Sequence, residues 1–455
     1  MPVSVLNFNR NSDQPLLIEV VFPHETASKT PIVVSRDFVE SFQVEVTSRG
    51  SWKASLVLFD RTGDFILRLV STTGFGRLVN LRWGWDDGRG IDVYPEYQGQ
   101  WTTFQPEFTA EGTRITFEIL PVEARDQAVD KIARRFPAGA QISEIVRFIA
   151  DQREWLTTDD NGRDTIQVTR NARLTRPLIQ DARETDFKFI LKQLVPLAVA
   201  DDKEGGPFYF YLDTYDVVHF HQERFLPDIE RVLYRFGQDA MGSVIEFSPS
   251  DLRFVAALVG GGTTVFRGLD SLAGTRLRLA STDLGGLPNV RERVDKGGEF
   301  LTPLFSRAQA ERPTSPISTV QYIVARSKAD FEQQAQTRFA AWRRMAYPAV
   351  LTVRGTHGVV PLTIVRVEYL TSDQQTPHFL SGDFLVQTIE HEVGSSGWQT
   401  RFTLYRTGVA FTPSAQPIQN ADKVQGAPVV AETPMTGADA RTPLQGSKIA
   451  VAVQP

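Results

Sequence analysis

The densest group of chemically capable side chains is Glu390-His391-Glu392, inside QTIEHEVGSSGWQTRFTLYR from Gln387 to Arg406. Two carboxylates around an imidazole are the materials of a metal site or of an acid–base pair. A second candidate is His219 with His221, two apart in VHFHQ and therefore on one face of a strand, as two zinc ligands would be. No acidic residue or histidine is obviously placed to complete that set, and the competing reading is aromatic packing beside Tyr209 and Phe210. Asp201-Asp202-Lys203-Glu204 reads as a solvated loop before Gly205-Gly206. The P-loop, nucleophile-elbow and HExxH patterns do not occur, and Gly260-Gly261-Gly262 does not join a strand to a helix as a phosphate loop does. No cofactor and no metal is implied.

The triplet loses its chemistry once the element carrying it is considered. If Gly394-Ser395-Ser396-Gly397 is a four-residue hairpin loop, Val393 pairs with Trp398 and the ladder runs back from there. His391 then stands opposite Thr400, Ile389 opposite Phe402 and Gln387 opposite Leu404. One face collects Ile389, His391, Val393, Trp398, Thr400, Phe402 and Leu404. The other carries Glu390 against Arg401, Glu392 against Gln399 and Thr388 against Thr403. A slip of one residue would mix these faces, so their clean sorting supports the register. Alternation then puts His391 on the side away from both glutamates, where the three cannot share an ion. His391 is expected to be half-buried with its ring nitrogens satisfied locally. Glu390 and Arg401 are expected to form a cross-strand ion pair, contributing roughly 0.2–1 kcal/mol.

The rest of the chain supports a β-rich reading. SFQVEVTS, ASLVLFD, FILRLVS and TRITFEIL read as short strands separated by turns such as Arg61-Thr62-Gly63-Asp64 and Asp86–Gly90, the pattern of a small antiparallel barrel or sandwich. From Glu123 the period changes. Ile142, Ile145, Val146 and Ile149 recur at helical spacing, with Ser143 a candidate cap; Phe187, Ile190, Leu191, Leu194 and Ala198 form a second stripe that Pro196 should kink or end. PFYFYLDTYDVVHFHQ reads as a hairpin around Asp213–Asp216, which closes a small α/β domain. SVIEFS is a further strand, followed by a mixed segment with a polar stretch from Thr282 to Thr314. Ala329–Met345 reads as a helix with Phe331, Ala335, Phe339, Trp342 and Ala346 on one face, stopping before Pro348. About four strands follow to Arg406. The segment 412–455 is rich in Pro, Ala, Thr, Gly and Gln and reads as an extended tail, too short and too polar for an enzyme domain.

Composition excludes several classes. The 455 residues exceed one growing core and suggest about three domains, while 41% hydrophobic and 23% charged residues are ordinary for a globular chain. The absence of cysteine removes disulfides, thiolate catalysis and cysteine-based metal sites. A net charge of −5 with no long Lys/Arg run argues against nucleic-acid specificity. No cleaved-signal pattern opens the chain, and no apolar run reaches the roughly 20 residues of a membrane span.

The order of these pieces resembles the baseplate hub proteins of contractile-tailed bacteriophages, the late control protein D-like family. TDFKFILKQLVPLA followed by GGPFYFYLDTYDVVHFHQ is similar to that family's S-D-x-x-F-I-x-x-L helix and following hairpin. FLVQTIEHEVGSSGWQTRFTLYRTG is similar to its closing hairpin, with His391, Gly397, Trp398, Thr400, Phe402, Leu404 and Arg406 on the pattern. LVNLRWGWDDG (Leu78–Gly88) is similar to an early strand and turn. The likeness runs from Ser35 to Gly408.

The resemblance implies an α+β, β-rich chain with two tail-tube-like antiparallel β-barrels. Residues 1–122 would form the first and residues 231–265 with 346–411 the second. Between and around them would lie a small α/β domain at 123–230, a helical or irregular insertion at 266–345 and the tail at 412–455. It implies a non-enzymatic homotrimer that joins a six-fold tail tube protein to a three-fold central spike protein, with tape measure and wedge proteins as further neighbours. Its place would be the virion baseplate, assembled in the host cytoplasm. Two competing readings are a tail-associated cell-wall or polysaccharide hydrolase, and a carbohydrate-binding adhesion protein using exposed Trp83, Trp85 and Trp101; those tryptophans could equally be barrel core or trimer interface.

Overall fold

The structure is a computed structural model. It describes the chain between residues 16 and 410 except for 24–29, 72–77, 87–95, 122–131, 199–206, 223–231, 237–243, 250–264, 271–273, 281–298, 301–319, 339–346, 370–380 and gaps of one or two residues. The Asp201–Glu204 loop, the glycines at 205–206 and 260–262, the stretch 282–314, most of the Asp86–Gly90 turn, the loop residues 395–396 and the tail at 412–455 therefore lie outside the described residues.

The first region contains β1 (Leu16–Phe22), β2 (Ile32–Val34), β3 (Val39–Thr47), β4 (Arg49–Gly50), β5 (Lys53–Asp60), α1 (Asp64–Ser71), β6 (Leu78–Trp85), β7 (Tyr97–Thr109) and β8 (Gly112–Pro121). FILRLVS, expected as a strand, is the helix α1. The buried Asp60 carboxylate causes the change: it accepts from the backbone N–H of Thr62 (3.1 Å), Gly63 (3.0 Å) and Phe65 (2.8 Å), gathering the donors that open a helix. Gly63, at φ +76°, makes the turn that aims them. Phe65 and Leu69, one helical turn apart, are buried, whereas Leu67, which a strand would put beside them, is 65% exposed.

The middle region holds β9 (Arg134–Phe136), α2 (Ile142–Gln152), β10 (Leu178–Gln180), α3 (Asp186–Phe189), β11 (Phe208–Leu212) and β12 (Val218–Gln222). Ile142, Ile145, Val146 and Ile149 are all buried in one core cluster that also holds Phe189, Phe210 and Phe220. Gln141 occupies the N-cap position of α2; Ser143, expected there, lies buried inside the first turn. After α3 the chain widens into a π-type turn over Ile190–Leu194 and then tightens over Val195–Leu197. The extra residue in the wide turn brings Phe189 and Ile190 together into the core and leaves Phe187 and Leu191 only partly buried. β11 pairs β12 antiparallel and also pairs β4 in parallel, tying the middle region to the first.

The last region comprises β13 (Val232–Phe236), β14 (Val244–Pro249), β15 (Val265–Asp270), β16 (Arg276–Ala280), β17 (Glu299–Phe300), β18 (Val320–Ala325), β19 (Tyr347–Arg354), β20 (Ile364–Tyr369), β21 (Gly382–Gly394), β22 (Gly397–Arg406) and β23 (Val409–Ala410). The insertion, expected to be helical or irregular, carries a three-stranded sheet in the order β16-β15-β18. Helical residues Phe331 and Ala335 pack on it with Phe266 and Ile323; Phe339, Trp342 and Ala346 lie outside the described residues.

One continuous sheet of 13 strands runs β14-β19-β22-β21-β3-β5-β8-β7-β6-β1-β2, with β20 and β13 branching from β21. It joins strands of the first and last regions through β3 and β21, over one shared hydrophobic core. The hairpin singled out in the sequence is therefore the seam of the molecule.

Candidate functional site

At the seam, β21 is paired on both flanks. Along β22, Val393 faces Trp398, His391 faces Thr400, Glu390 faces Arg401, Ile389 faces Phe402 and Thr388 faces Thr403. The register then shifts. Val386, not Gln387, stands opposite Leu404. The cause is on the other flank, where β20 pairs with Gly382–Leu385 and β3 with Thr388–Val393. Gln387 sits where one partner hands over to the other, and its carbonyl accepts from Ser48 N at 2.9 Å. A bulged residue lets the strand bend between two partners that are not in line.

The inner face is a closed aromatic cluster. Ile389, His391, Val393, Trp398, Thr400 and Phe402 are all 2% exposed or less, so His391 is fully rather than half buried. Trp83 of β6 closes over it edge-on at 5.4 Å, and His357, in the loop after β19, lies 5.3 Å from it. The His357 ring is 4.5 Å from Trp398, and its Nε2 is 2.7 Å from the Trp83 carbonyl. Trp85 stacks on Trp398 at 5.8 Å and donates its indole N–H to the Gly355 carbonyl at 2.9 Å. Gly355 has to be glycine: a β-carbon there would fall inside the Trp398 indole. Alternation along β6 puts Trp83 and Trp85 on its buried face, at 0% and 7% exposure. An exposed sugar platform of Trp83, Trp85 and Trp101 is thus not formed, because the first two are core.

His391 Nδ1 is 3.1 Å from Thr400 Oγ1, which also accepts from Thr356 N at 3.1 Å. Burial, and then the nearby His357, holds the His391 imidazolium well below its ordinary pKa. The ring is neutral at neutral pH and shut away from solvent, which suits packing rather than proton transfer.

On the outer face Glu390 and Glu392 line a shallow polar groove of about 320 Å³ with Ile245, Glu246, Thr352 and Arg401. Glu390 and Arg401 are register partners, but no ion pair joins them among the described residues: Glu390 accepts a hydrogen bond from Gln43 Nε2 of β3. An isolated hairpin would have left Glu390 only Arg401. In the full sheet β3 presents Gln43 and Glu45 on the other side, and Glu45 is held by Lys53 at 3.0 Å.

His219 and His221 lie 5.6 Å apart on β12, and the sequence reading missed their acidic neighbour. Asp213, at the start of the hairpin turn, is 2.8 Å from His219 Nε2. His219 stacks on Tyr211 at 4.6 Å rather than on Tyr209 or Phe210, because the register sets Tyr211 opposite His219. Burial and the charge of His219 push the His221 pKa down to about 4. Among the described residues no group of three His, Asp or Glu side chains is placed to hold a metal ion.

Sequence reasoning also missed a buried ionic network in the middle region. Asp186, 1% exposed at the first turn of α3, binds both the Arg134 guanidinium and Arg153 Nε, the latter at 2.6 Å, and accepts from Gln180 Nε2 at 2.5 Å. Burial alone would raise its carboxyl, but the hydrogen bonds from Arg134, Gln180 and Arg153 outweigh it and hold the pKa below the ordinary value. The signal was present: Thr185 caps Lys188 N, so Thr185-Asp186 opens the helix of the S-D-x-x-F-I-x-x-L pattern. What it could not show was the two arginines arriving from β9 and from the end of α2.

No protein-family model matches the chain, and no curated protein matches it in sequence. Solved structures do. The fold is similar to the 43 kDa tail protein of prophage MuSo2 from Shewanella oneidensis, with TM-score 0.50 and 11% identity over 86% of this chain and 99% of that one. It is equally similar to a tail protein from Neisseria meningitidis MC58, with TM-score 0.50 and 10% identity over 87% of this chain and 98% of that one. The chain has the fold of these prophage tail proteins along nearly their whole length.

Proposed function

We propose that this chain is the structural hub of a phage-type tail baseplate, a homotrimeric adaptor between a six-fold tail tube and a three-fold central spike. The observation that carries the reading is the fold likeness to two prophage tail proteins over almost the entire length of each. Residues 1–122 and residues 231–265 with 346–411 are read as the two tube-like units, so three copies present six. Their fusion through β3 and β21 over one core supports this role, because a ring that transmits load between two symmetries needs its paired units rigidly joined. The role is non-catalytic, and its site is the assembly surface in the virion.

The test is mass and shape. Light scattering of the purified chain should give three times 50.9 kDa, and images should show rings that bind tube protein on one side and spike protein on the other. A chain that stays monomeric, alone and with both proteins, would refute the reading.

A further inference from the structure

The insertion presents a sheet face that no described residue covers. On one side of β16-β15-β18, Phe266 and Ile323 are buried under Phe331, and Gly268 allows the close approach: a β-carbon there would lie 2.7 Å from the Phe331 ring. Alternation sends the intervening residues to the opposite side. There the register sets Arg278, Arg267 and Tyr322 in one row across the three strands, and puts Arg276 beside Leu269 in the next. Tyr322 is 73% exposed and Leu269 52%, and all three arginines are exposed. None of the three makes an ion pair among the described residues. Two arginines directly opposite each other on an antiparallel ladder repel, so this row is unfavourable in the isolated chain. A face that combines unpaired guanidinium groups with an exposed tyrosine and leucine has the composition of an interface core.

We propose that this arginine face docks onto the acidic groove of a second copy of the same chain. The groove carries Glu246, Glu390 and Glu392 against a single arginine, Arg401, and its rim residue Ile245 is 48% exposed, so charge and apolar character both match. The two surfaces are different patches of one chain. Their contact is therefore head-to-tail, the kind that closes into a ring when the rotation allows. The chain's own segment 412–455 is a poorer occupant, since Asp422, Glu432 and Asp439 are balanced there by Lys423, Arg441 and Lys448. The inference rests on the hub reading in requiring several copies of the chain, and it gives the insertion the task of joining them.

The experiment compares the sedimentation mass of the full chain with that of R267E/R278E, of R267Q/R278Q and of the charge-swapped quadruple variant R267E/R278E/E246R/E392R. Circular dichroism serves as the check on folding. The expected result is an oligomer that dissociates at least tenfold more readily in both double variants, is weakened by salt, and is restored in the quadruple variant. If the double variants assemble like the parent, the inference fails while the hub reading stands. If the parent is monomeric at 100 µM the inference also fails, and the hub reading is then decided by tube and spike binding. A monomer whose arginine face instead retains heparin or a DNA oligonucleotide, with that binding lost in R267Q/R278Q, would overturn it in favour of a polyanion site.

Discussion

The seam and the middle region each bury a titratable side chain, and they accommodate it in opposite ways. At the seam His391 sits among Trp83, His357, Trp398 and Thr400, with one hydroxyl as hydrogen-bond partner, and sheds its charge. In the middle region Asp186 keeps its charge, because two guanidinium groups and an amide surround it at the start of a helix. An imidazole can be buried as a neutral aromatic ring, so stacking partners suffice. A carboxylate without counter-charges would have to take up a proton or cost several kcal/mol. The seam is therefore held by packing and the middle region by a specific ionic lock, and the two should respond to different insults.

The sharpest break is at the lock. Asp186→Ala takes the carboxylate away from the buried Arg134 guanidinium and should cost about 3–5 kcal/mol. Urea unfolding would measure it, and amide exchange should show the loss confined to α2, α3 and their sheet. Acid should reach both regions, through His221 on β12 of the middle region and His391 at the seam. His221 has its folded pKa near 4 against an unfolded value near 6.5. Its native state therefore takes up the proton later than the unfolded state. Stability is complete above about pH 6.5 and falls as pH drops toward 4, by up to about 3 kcal/mol. His391, shifted in the same direction, adds to that slope. Asp186, also depressed but from the carboxylate range, keeps its stabilising contribution down to about pH 4 and loses it only below that. Unfolding measured at pH 7, 5.5 and 4.5 should show this slope, and His221→Phe should flatten it; an unchanged slope would place the proton uptake elsewhere.

A smaller effect tests the seam's packing. Gly355→Ala drives a methyl into the Trp398 indole and should cost about 1–3 kcal/mol, with faster amide exchange in β21 and β22. The smallest expected change is at the outer face. Glu390→Gln or Arg401→Gln should alter stability by no more than about 0.5 kcal/mol, since both line the open groove and no ion pair joins them among the described residues. A loss above 1 kcal/mol would mean that the groove is structural after all.

Much of the hairpin could be read without coordinates because a strand alternates by covalent geometry. The apolar positions of the hairpin fell on one side together with His391, whatever lay opposite. α2 was equally open to reading, since Ile142, Ile145, Val146 and Ile149 trace one stripe. The failures share a cause, which is a partner distant in the chain. Gln387 bulges because β3 and β20 meet beside it, Glu390 turns to Gln43, and FILRLVS coils because the buried Asp60 gathers its first N–H groups. The Asp186 lock was hidden for the same reason, its arginines lying 52 and 33 residues away.

Periodicity and turn chemistry were thus enough to say which residues share a face, that the chain is β-rich with a helical stretch in its middle, and that the Glu-His-Glu triplet cannot converge on one ion. These follow from bond geometry within a few residues. Only the folded chain decides which strands become neighbours, and it places Gln43 against Glu390 across 347 residues. That choice belongs to the shared core: pairing β3 with β21 buries Phe42, Trp83, His391 and Trp398 together, and no local pattern records so distant a gain.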